Sequence, residues 1–123
     1  MSDTETMTTY SWDGTKIAFE SNRSLDGSDT ISPNNTLNIW VMNADGSSPT
    51  AVTKLTANRA NSFGTVIWSA NRTQIVFDSS RALDGTDAAN SKGTVNIWII
   101  NADGTSAMPL TNLTAAGAAA SCV

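Results

Sequence analysis

Hydrophobic and polar residues along the chain follow the short periods of β-strands, with no helical period standing out. In the segment 16–21, Ile17 and Phe19 alternate with polar neighbours, which predicts a strand. Segments 37–43 and 95–101 are continuous apolar runs of β-forming residues, typical of strands covered on both faces. The whole pattern predicts two groups of four strands, at 7–11, 16–21, 37–43 and 51–56, and at 65–69, 73–79, 95–101 and 108–114.

The two groups of strands are copies of one repeat. Residues 10–57 placed over residues 68–115, an offset of 58, give 23 identities in 48 positions without a gap. Four-stranded units at a period of about 40–60 residues are typical of β-propeller blades. The alternative, an isolated two-sheet sandwich, is disfavoured by the long period.

The repeat predicts an all-β fold of two four-stranded antiparallel β-propeller blades. Blade 1 is expected at 1–57, and blade 2 at 58–123 with a C-terminal linker. The alanine-rich segment 115–120 has helical propensity. It aligns with the linker 57–62, which favours a connection between blades.

The repeat motifs resemble the WD40-like repeats of TolB-type propellers, the PD40 group. The matches in blade 1 are Ser11, Asp13–Phe19, Ser21–Arg23, Asn38–Gly46 and Leu55–Thr56. Those in blade 2 are Trp68–Ser69, Thr73–Phe77, Ser79–Arg81, Asn96–Gly104 and Leu113–Thr114. Trp12 and Ala70 replace the proline usual in the family, and Asn71-Arg72 replaces the Asp-Gly turn. The resemblance implies a bacterial protein, periplasmic or secreted, that binds other proteins, or a propeller beside a peptidase domain.

Composition narrows the classes of function. Seven Lys and Arg residues against eleven Asp and Glu residues give a net charge of -4, which argues against a nucleic-acid partner. Histidine is absent, and the only cysteine is Cys122, so no Ser/His/Asp or Cys/His arrangement and no internal disulfide is expected. No segment has the roughly 18 apolar residues of a membrane span, and the N-terminus does not resemble a signal peptide. We therefore expect no membrane insertion, no enzyme activity and no cofactor other than Ca²⁺.

Two blades leave two apolar sheet faces to be covered, so self-assembly is expected. The positions assigned to the outer faces are Ile17, Phe19, Ile39, Val41, Ile75, Phe77, Ile97 and Ile99. The 58-residue phase continues from the C-terminal segment 115–123 into a strand like that at 7–11. This predicts a head-to-tail cyclic homo-oligomer. A trimer would complete six blades, the TolB-like number, and a tetramer eight.

The longest loops, 22–36 and 80–94, are the candidate ligand-binding rim, because loops on a rigid scaffold carry function. We call them the long loops. Their candidate binding residues are Arg23, Asp26, Asp29, Asn34, Arg81, Asp84, Asp87 and Lys92.

The long loops also offer oxygen ligands of the kind that Ca²⁺ accepts. The four acidic candidates are Asp26, Asp29, Asp84 and Asp87, with amides from Asn34, Asn35, Asn38 and Asn96. The spacing is not that of an EF-hand, and the alternative is that the aspartates cap backbone N–H groups in turns. Bound Ca²⁺ would stabilise the fold, so EDTA would then lower the melting temperature.

Other polar and aromatic residues have two interpretations each. Arg23 and Arg81 are candidates for the capture of an anion. The alternative is that they pair with Asp26 and Asp84 or with a carbonyl between blades.

Trp40 and Trp98 are candidates for stacking on a sugar. The alternative is that they belong to the core. Trp12 and Trp68 lie by the first turn, and Trp12 is the better stacking candidate. The carboxylates of Glu20, Asp78 and Asp13 are candidates for a catalytic pair in glycoside hydrolysis. The alternative is that they make structural hydrogen bonds between blades.

Three functions fit these features. The first is a binding or scaffold module with a protein or glycan ligand. The second is a propeller fragment of a larger enzyme, peptidase-associated or hydrolase-associated. The third is a carbohydrate-binding ring in which repeated sites give avidity.

Overall fold

The chain folds into two four-stranded antiparallel sheets. A computed structural model describes residues 5–10, 14–71 and 73–121. In each sheet the strands lie in sequence order, and every pair is antiparallel. Sheet 1 contains β1 Glu5–Tyr10, β2 Lys16–Ser21, β3 Asn38–Asn43 and β4 Thr50–Ala51. Sheet 2 contains β5 Ser62–Trp68, β6 Gln74–Ser79, β7 Asn96–Asn101 and β8 Met108–Pro109. The prediction of an all-β antiparallel fold is confirmed.

The turn between β3 and β4 follows from its Asn-Ala-Asp-Gly sequence. The Gly46 N–H donates to the Asn43 carbonyl at 2.8 Å, and Asp45 Oδ1 accepts from the Ser47 N–H at 2.9 Å. Gly46 has φ 88°, a conformation that glycine adopts at little cost. The turn at 101–105 in sheet 2 repeats these bonds.

The outermost strands are shorter than the sequence predicts. β4 and β8 have two residues each, against predicted strands at 51–56 and 108–114. The buried side chain of Asn38 is the reason. Its Nδ2 donates to the Leu55 carbonyl at 3.0 Å, and its Oδ1 accepts from the Leu55 N–H and the Thr53 hydroxyl, both at 2.8 Å. A side chain thus takes the place of ladder bonds.

Asn96 is the counterpart of Asn38 in sheet 2. Its Oδ1 accepts from the Thr111 hydroxyl at 2.8 Å and the Leu113 N–H at 2.7 Å, and its Nδ2 donates to the Leu113 carbonyl at 3.0 Å. Both asparagines are fully buried, and both amide oxygens already accept two bonds. These amides therefore hold the fourth strand segment of each sheet.

The main hydrophobic core lies between the two sheets. It combines residues of sheet 1 with residues of sheet 2, namely Ala18, Ile39 and Val52 with Val66, Ile75, Phe77, Trp98 and Ile100. The expectation that Ile39, Ile75 and Phe77 lie on uncovered outer faces is wrong, because these side chains pack between the sheets of one chain. Strand alternation groups side chains by face, but it does not say which face a neighbouring sheet covers.

The two remaining sheet faces differ in exposure. On sheet 1, Ile17, Phe19 and Trp40 form a second cluster, and none of them is more than 6% exposed. The expectation that Ile17 and Phe19 are uncovered in one chain is therefore also wrong. Sheet 2, in contrast, exposes large apolar residues: Ile67 at 43%, Met108 at 54% and Leu110 at 52%.

The exposed apolar residues of sheet 2 belong to one face. The strand register places Ile67 beside Val76, Val76 beside Ile99, and Ile99 beside Met108. We call this surface the outer face of sheet 2; it comprises Ile67, Val76, Ile97, Ile99, Met108 and Leu110. Four of these residues have counterparts 58 positions earlier, on the face of sheet 1 that sheet 2 covers. These counterparts are Ala18, Ile39, Val41 and Val52.

The C-terminal segment follows the path of the linker between the sheets. In the linker, the Ala60 N–H donates to the Ala57 carbonyl and the Ser62 N–H to the Leu37 carbonyl. The tail repeats both bonds 58 residues later, from Ala118 to Ala115 and from Ala120 to Val95. The segment 115–120 is therefore not helical and has the geometry of an inter-sheet connection.

The two Asn-Ala-Asp-Gly turns offer a matched pair of substitutions. Gly46 and Gly104 have φ of 88° and 91°, so alanine at either position costs about 1–3 kcal/mol of backbone strain. An added Cβ at Gly104 would also lie 3.1 Å from the Val52 carbonyl oxygen, whereas nothing lies within 4 Å at Gly46. We expect Gly104→Ala to lower the free energy of unfolding more than Gly46→Ala in chemical denaturation of the single chain. Equal losses there would contradict this packing of the turn on sheet 1.

Candidate functional site

Each long loop is closed on itself by backbone bonds. Arg23 pairs with Ile31 and Arg81 with Ala89 in isolated bridges at the loop bases. Short 3-10 turns follow at Pro33–Asn35 and at Ser91–Gly93. The long loops are therefore ordered extensions of the sheets, and the repeat gives them the same shape.

Asp26 and Asp84 occupy equivalent turns. The Ser28 N–H donates to Asp26 Oδ1 at 2.8 Å, and the Thr86 N–H and hydroxyl donate to Asp84 Oδ1 at 2.9 and 2.7 Å. Hydrogen bonds from the side chain and then the backbone of Ser28 hold the pKa of Asp26 below its ordinary value, and Thr86 does the same for Asp84. Both carboxylates make the N–H capping bonds expected of turn aspartates.

Asp87 makes a different contact, which crosses from one sheet to the other. Its Oδ1 accepts from the N–H groups of Thr56 and Ala57 at 2.9 and 3.0 Å, and its Oδ2 accepts from the Thr56 hydroxyl at 2.5 Å. These donors belong to the linker that leaves sheet 1. We call this arrangement the Asp87 clasp, and it joins the long loop of sheet 2 to sheet 1.

The equivalent residue in sheet 1, Asp29, is exposed. Its carboxylate makes no hydrogen bond to another part of the chain that the structure describes. The long loops therefore do not use their second aspartates alike. Across the described residues, no three acidic, histidine or cysteine side chains converge as a metal site. The Ca²⁺ hypothesis for Asp26, Asp29, Asp84 and Asp87 stays a prediction.

The two loop arginines lie over buried indoles. The Arg81 guanidinium carbon is 4.8 Å from the Trp98 ring centre, and that of Arg23 is 5.2 Å from the Trp40 ring centre, both within range of cation–π attraction. Arg81 Nη2 also donates to the Gly85 carbonyl at 2.8 Å. Trp40 and Trp98 are 1% and 0% exposed, so both belong to the core.

The charged neighbour of Arg81 is Asp87 and not Asp84, contrary to the pairing considered from the sequence. Burial lowers the pKa of Arg81, and the negative charge of Asp87 opposes that change. Partial burial raises the pKa of Asp87, but the bonds from Thr56 and Ala57 and the charge of Arg81 outweigh it, so its pKa lies below the ordinary value. The carboxylate of the clasp is therefore stabilised in its charged form.

Asn34 and Lys92 occupy the same place in the two long loops but act differently. Asn34 Nδ2 donates to the Thr56 carbonyl at 2.9 Å, next to the Asp87 clasp. Lys92 is exposed on its 3-10 turn. Both residues have φ 58°, the left-handed conformation. Only Asn34 is brought to the clasp.

A cavity of about 390 Å³ lies between the sheets next to the clasp. The segment 52–55, which follows β4, forms one wall, and Arg81, Gly85, Asp87 and the turn at 103–105 form the other. Lys54 adds a second positive charge. Of the predicted rim residues, Arg81 and Asp87 line this cavity; Asp84 and Lys92 do not. The cavity is a mixed-charge cleft at the junction of the sheets.

The remaining candidates lie in or near the sheets. Glu20 and Asp78 are 8% and 4% exposed within β2 and β6. Asp78 packs against Gly64, where a Cβ would lie 2.5 Å from Asp78 Oδ2. Trp68 is partly buried against the core. Trp12, Asp13 and Cys122 lie outside the described residues.

Sequence reasoning missed the residues that receive the clasp. Thr56 and Ala57 belong to a Leu-Thr-Ala segment that the repeat duplicates as Leu113–Ala115, a signal that identifies the segment but not its partner.

In the part of the chain that the structure describes, no helix is long and apolar enough to cross a membrane.

Acid should weaken the Asp87 clasp. Because the pKa of Asp87 is lowered in the folded state, its carboxylate adds stability above the ordinary pKa of 3.8, and this is lost as pH falls through the folded value. We expect Asp87→Ala to destabilise the protein at neutral pH, and the difference from wild type to shrink progressively as the pH falls below 3.8. Urea denaturation at several pH values measures this. A difference that does not change with pH would contradict the role of the charged form.

Comparison with solved structures gives a likeness in fold. No family model matches the chain, and no curated protein does. A solved structure, described as that of a "putative TolB" from Agrobacterium tumefaciens, superposes with a TM-score of 0.61 at 24% identity. The match covers 89% of this chain and 34% of that chain, so this chain spans about a third of its length. The fold is therefore of the TolB-like β-propeller type.

Proposed function

We propose that the chain is a non-catalytic β-propeller module that assembles head-to-tail into a closed ring and presents its long loops to a protein or glycan ligand. The observation that carries the proposal is the outer face of sheet 2. Met108 and Leu110 are more than half exposed there, whereas the equivalent face of sheet 1 is buried by sheet 2. A further blade packed in the same way would cover it.

The hydrophobic effect favours such assembly. Fully burying a large aliphatic side chain contributes about 1.5–3 kcal/mol, and six apolar residues share the outer face of sheet 2. Extended exposed apolar surfaces on soluble proteins mark interaction sites. The opposite cluster of Ile17, Phe19 and Trp40 is already buried in one chain, so the gain comes mainly from sheet 2. A contact between two different surfaces of identical chains forms a ring when its rotation closes.

Length supports three chains per ring. The match covers 34% of the TolB chain, so three such segments would equal the length of that chain. Three chains would supply six four-stranded sheets, and four chains eight, both within the range of closed propellers. A trimer is the first expectation and a tetramer the second.

The proposal of a non-catalytic role rests on the chemistry of the side chains. The sequence has no histidine, and the aligned Glu20 and Asp78 lie buried in strands. The long loops keep charged residues at their surface, including Asp29, Asp84 and Lys92. A ring would repeat these loops around one rim, and repeated weak sites raise avidity for a multivalent ligand.

The mass of the particle in solution tests the proposal. Multi-angle light scattering should give three times the chain mass of 12.9 kDa, or four times in the second case. A well-folded, monodisperse particle of one chain mass would contradict assembly. That result would favour the alternative, in which the chain is a propeller segment of a larger, peptidase-associated or hydrolase-associated protein.

A further inference from the structure

We infer that the Asp29 carboxylate is the acceptor of an intermolecular clasp, and that it binds the Thr114–Ala115 segment of a second copy of this chain. The inference deepens the proposed ring and rests on it, because it identifies the polar contact that would join one copy to the next. Its template is the Asp87 clasp inside the chain.

The template fixes which atoms should meet. Asp87 accepts three hydrogen bonds from Thr56 and Ala57. The 58-residue offset converts Asp87 into Asp29, and it converts Thr56 and Ala57 into Thr114 and Ala115, without any change of residue type. The second clasp would therefore contain the same carboxylate, hydroxyl and N–H groups as the first.

Both halves of the second clasp are accessible. Asp29, Thr114 and Ala115 are all exposed. The Asp29 carboxylate has no hydrogen bond within the described ranges 5–10, 14–71 and 73–121. Asp29 belongs to sheet 1, and Thr114 and Ala115 belong to sheet 2. Sheet 2 packs on the side of sheet 1 where Thr56 lies, so the two halves of the second clasp lie at opposite sides of the two packed sheets. One copy therefore offers the Asp29 acceptor to one neighbour and the Thr114–Ala115 donors to another, if neighbouring copies pack as sheet 2 packs on sheet 1.

The surroundings of the two donor segments support the same partner. Thr53, Leu55 and Ala60 are at most 2% exposed on the sheet 1 side of the internal junction. Their counterparts are only partly buried, and these are Thr111, Leu113 and Ala118. Sheet 2 covers the segment of sheet 1 that ends in Thr56. The equivalent segment of sheet 2, which ends in Thr114, lacks such a cover, and so does the adjoining outer face of sheet 2 with Leu110.

The loop that carries Asp29 is also built for the contact. Arg23 lies over Trp40 as Arg81 lies over Trp98, so the cation that attends Asp87 has a counterpart in the loop that carries Asp29. Both loops close through equivalent backbone bonds, from Ser24 to Thr30 and from Ala82 to Ala88. The acceptor loop therefore has the template's shape before a partner arrives.

The test measures self-association of the full chain by sedimentation across a concentration series. Asp29→Ala should raise the dissociation constant by at least about tenfold, because hydrogen bonds to a charged acceptor are the stronger kind. Asp26→Ala is the control, since it removes the same charge from the same loop without touching the clasp. Thr114→Val should weaken association as well, and combining it with Asp29→Ala should add less than the sum of the two effects.

Circular dichroism should show that Asp29→Ala keeps the strand content of wild type. Leu110→Asp, which places a charge on the outer face of sheet 2, should also dissociate the ring. A wild-type chain that assembles, with Asp29→Ala assembling equally well, would overturn the clasp and leave the ring intact. A wild-type chain that stays monomeric at all concentrations would overturn the ring itself, and the clasp with it.

Discussion

Replacement of Phe77 by alanine should destabilise the chain more than any other single truncation of an apolar side chain outside the tryptophans. Phe77 is 0% exposed and packs in the core between the sheets. Truncation of a buried phenylalanine costs about 3–5 kcal/mol, from lost apolar burial and the cavity that remains. Net stabilities of domains are only about 5–15 kcal/mol, so the variant should lose a large fraction of its stability.

Urea denaturation of wild type and Phe77→Ala measures this loss. Ile31→Ala is the control, because Ile31 is 39% exposed in a long loop and its truncation should change stability by less than about 1 kcal/mol. Since Phe77 lies inside one chain, its truncation should destabilise the protein even at dilutions where copies separate. A stability loss that appears only at concentrations where the chain assembles would show instead that Phe77 acts between copies.

Replacement of Asn38 by alanine should have the second-largest effect. The Asn38 amide makes three buried hydrogen bonds that hold Leu55 and Thr53 beside β3. Without it, the Leu55 N–H and carbonyl lose their partners in a buried site, and each unpaired buried group costs about 1–3 kcal/mol. We expect a loss of roughly 3 kcal/mol in the free energy of unfolding.

Asn96→Ala is the matched comparison for Asn38→Ala. Asn96 makes the same three bonds, but its partners Thr111 and Leu113 are only partly buried, so water can replace the lost bonds. The single chain should therefore lose less stability from Asn96→Ala than from Asn38→Ala. In an assembled ring the two losses should become similar. Asn38→Ala with wild-type stability would contradict the role of the amide as a substitute for strand pairing.

Much of the fold was predictable because the same sequence signals occur in both copies of the repeat. The β2 and β3 strands, the Asn-Ala-Asp-Gly turns and the path of the C-terminal segment all follow from local patterns and the 58-residue offset. The length of the fourth strands was not predictable. Segment 51–56 has a strand-like sequence, but the Asn38 side chain takes its backbone bonds, and hydrogen-bond partners 17 residues apart leave no periodic signal.

The candidate site was predictable only in part. The sequence named eight rim residues without ranking them, and the structure brings two of these, Arg81 and Asp87, to one cleft between the sheets. It could not separate Asp87 from Asp29, because the two aspartates have the same place in the repeat. Only the packing of sheet 2 on sheet 1 distinguishes them, since it brings the donors of Thr56 and Ala57 to Asp87 and brings no such donors to Asp29 in the part of the chain that the structure describes.

The sequence by itself determined the repeated all-β architecture, since strand periodicity, turn glycines and the 58-residue offset are local properties of the chain. The tertiary structure alone decided which apolar faces are covered. Phe77 and Ile97 both occupy apolar strand positions, yet Phe77 is sealed against sheet 1 while Ile97 lies on the outer face of sheet 2. Burial depends on what packs against a face, and that is a property of two sheets together.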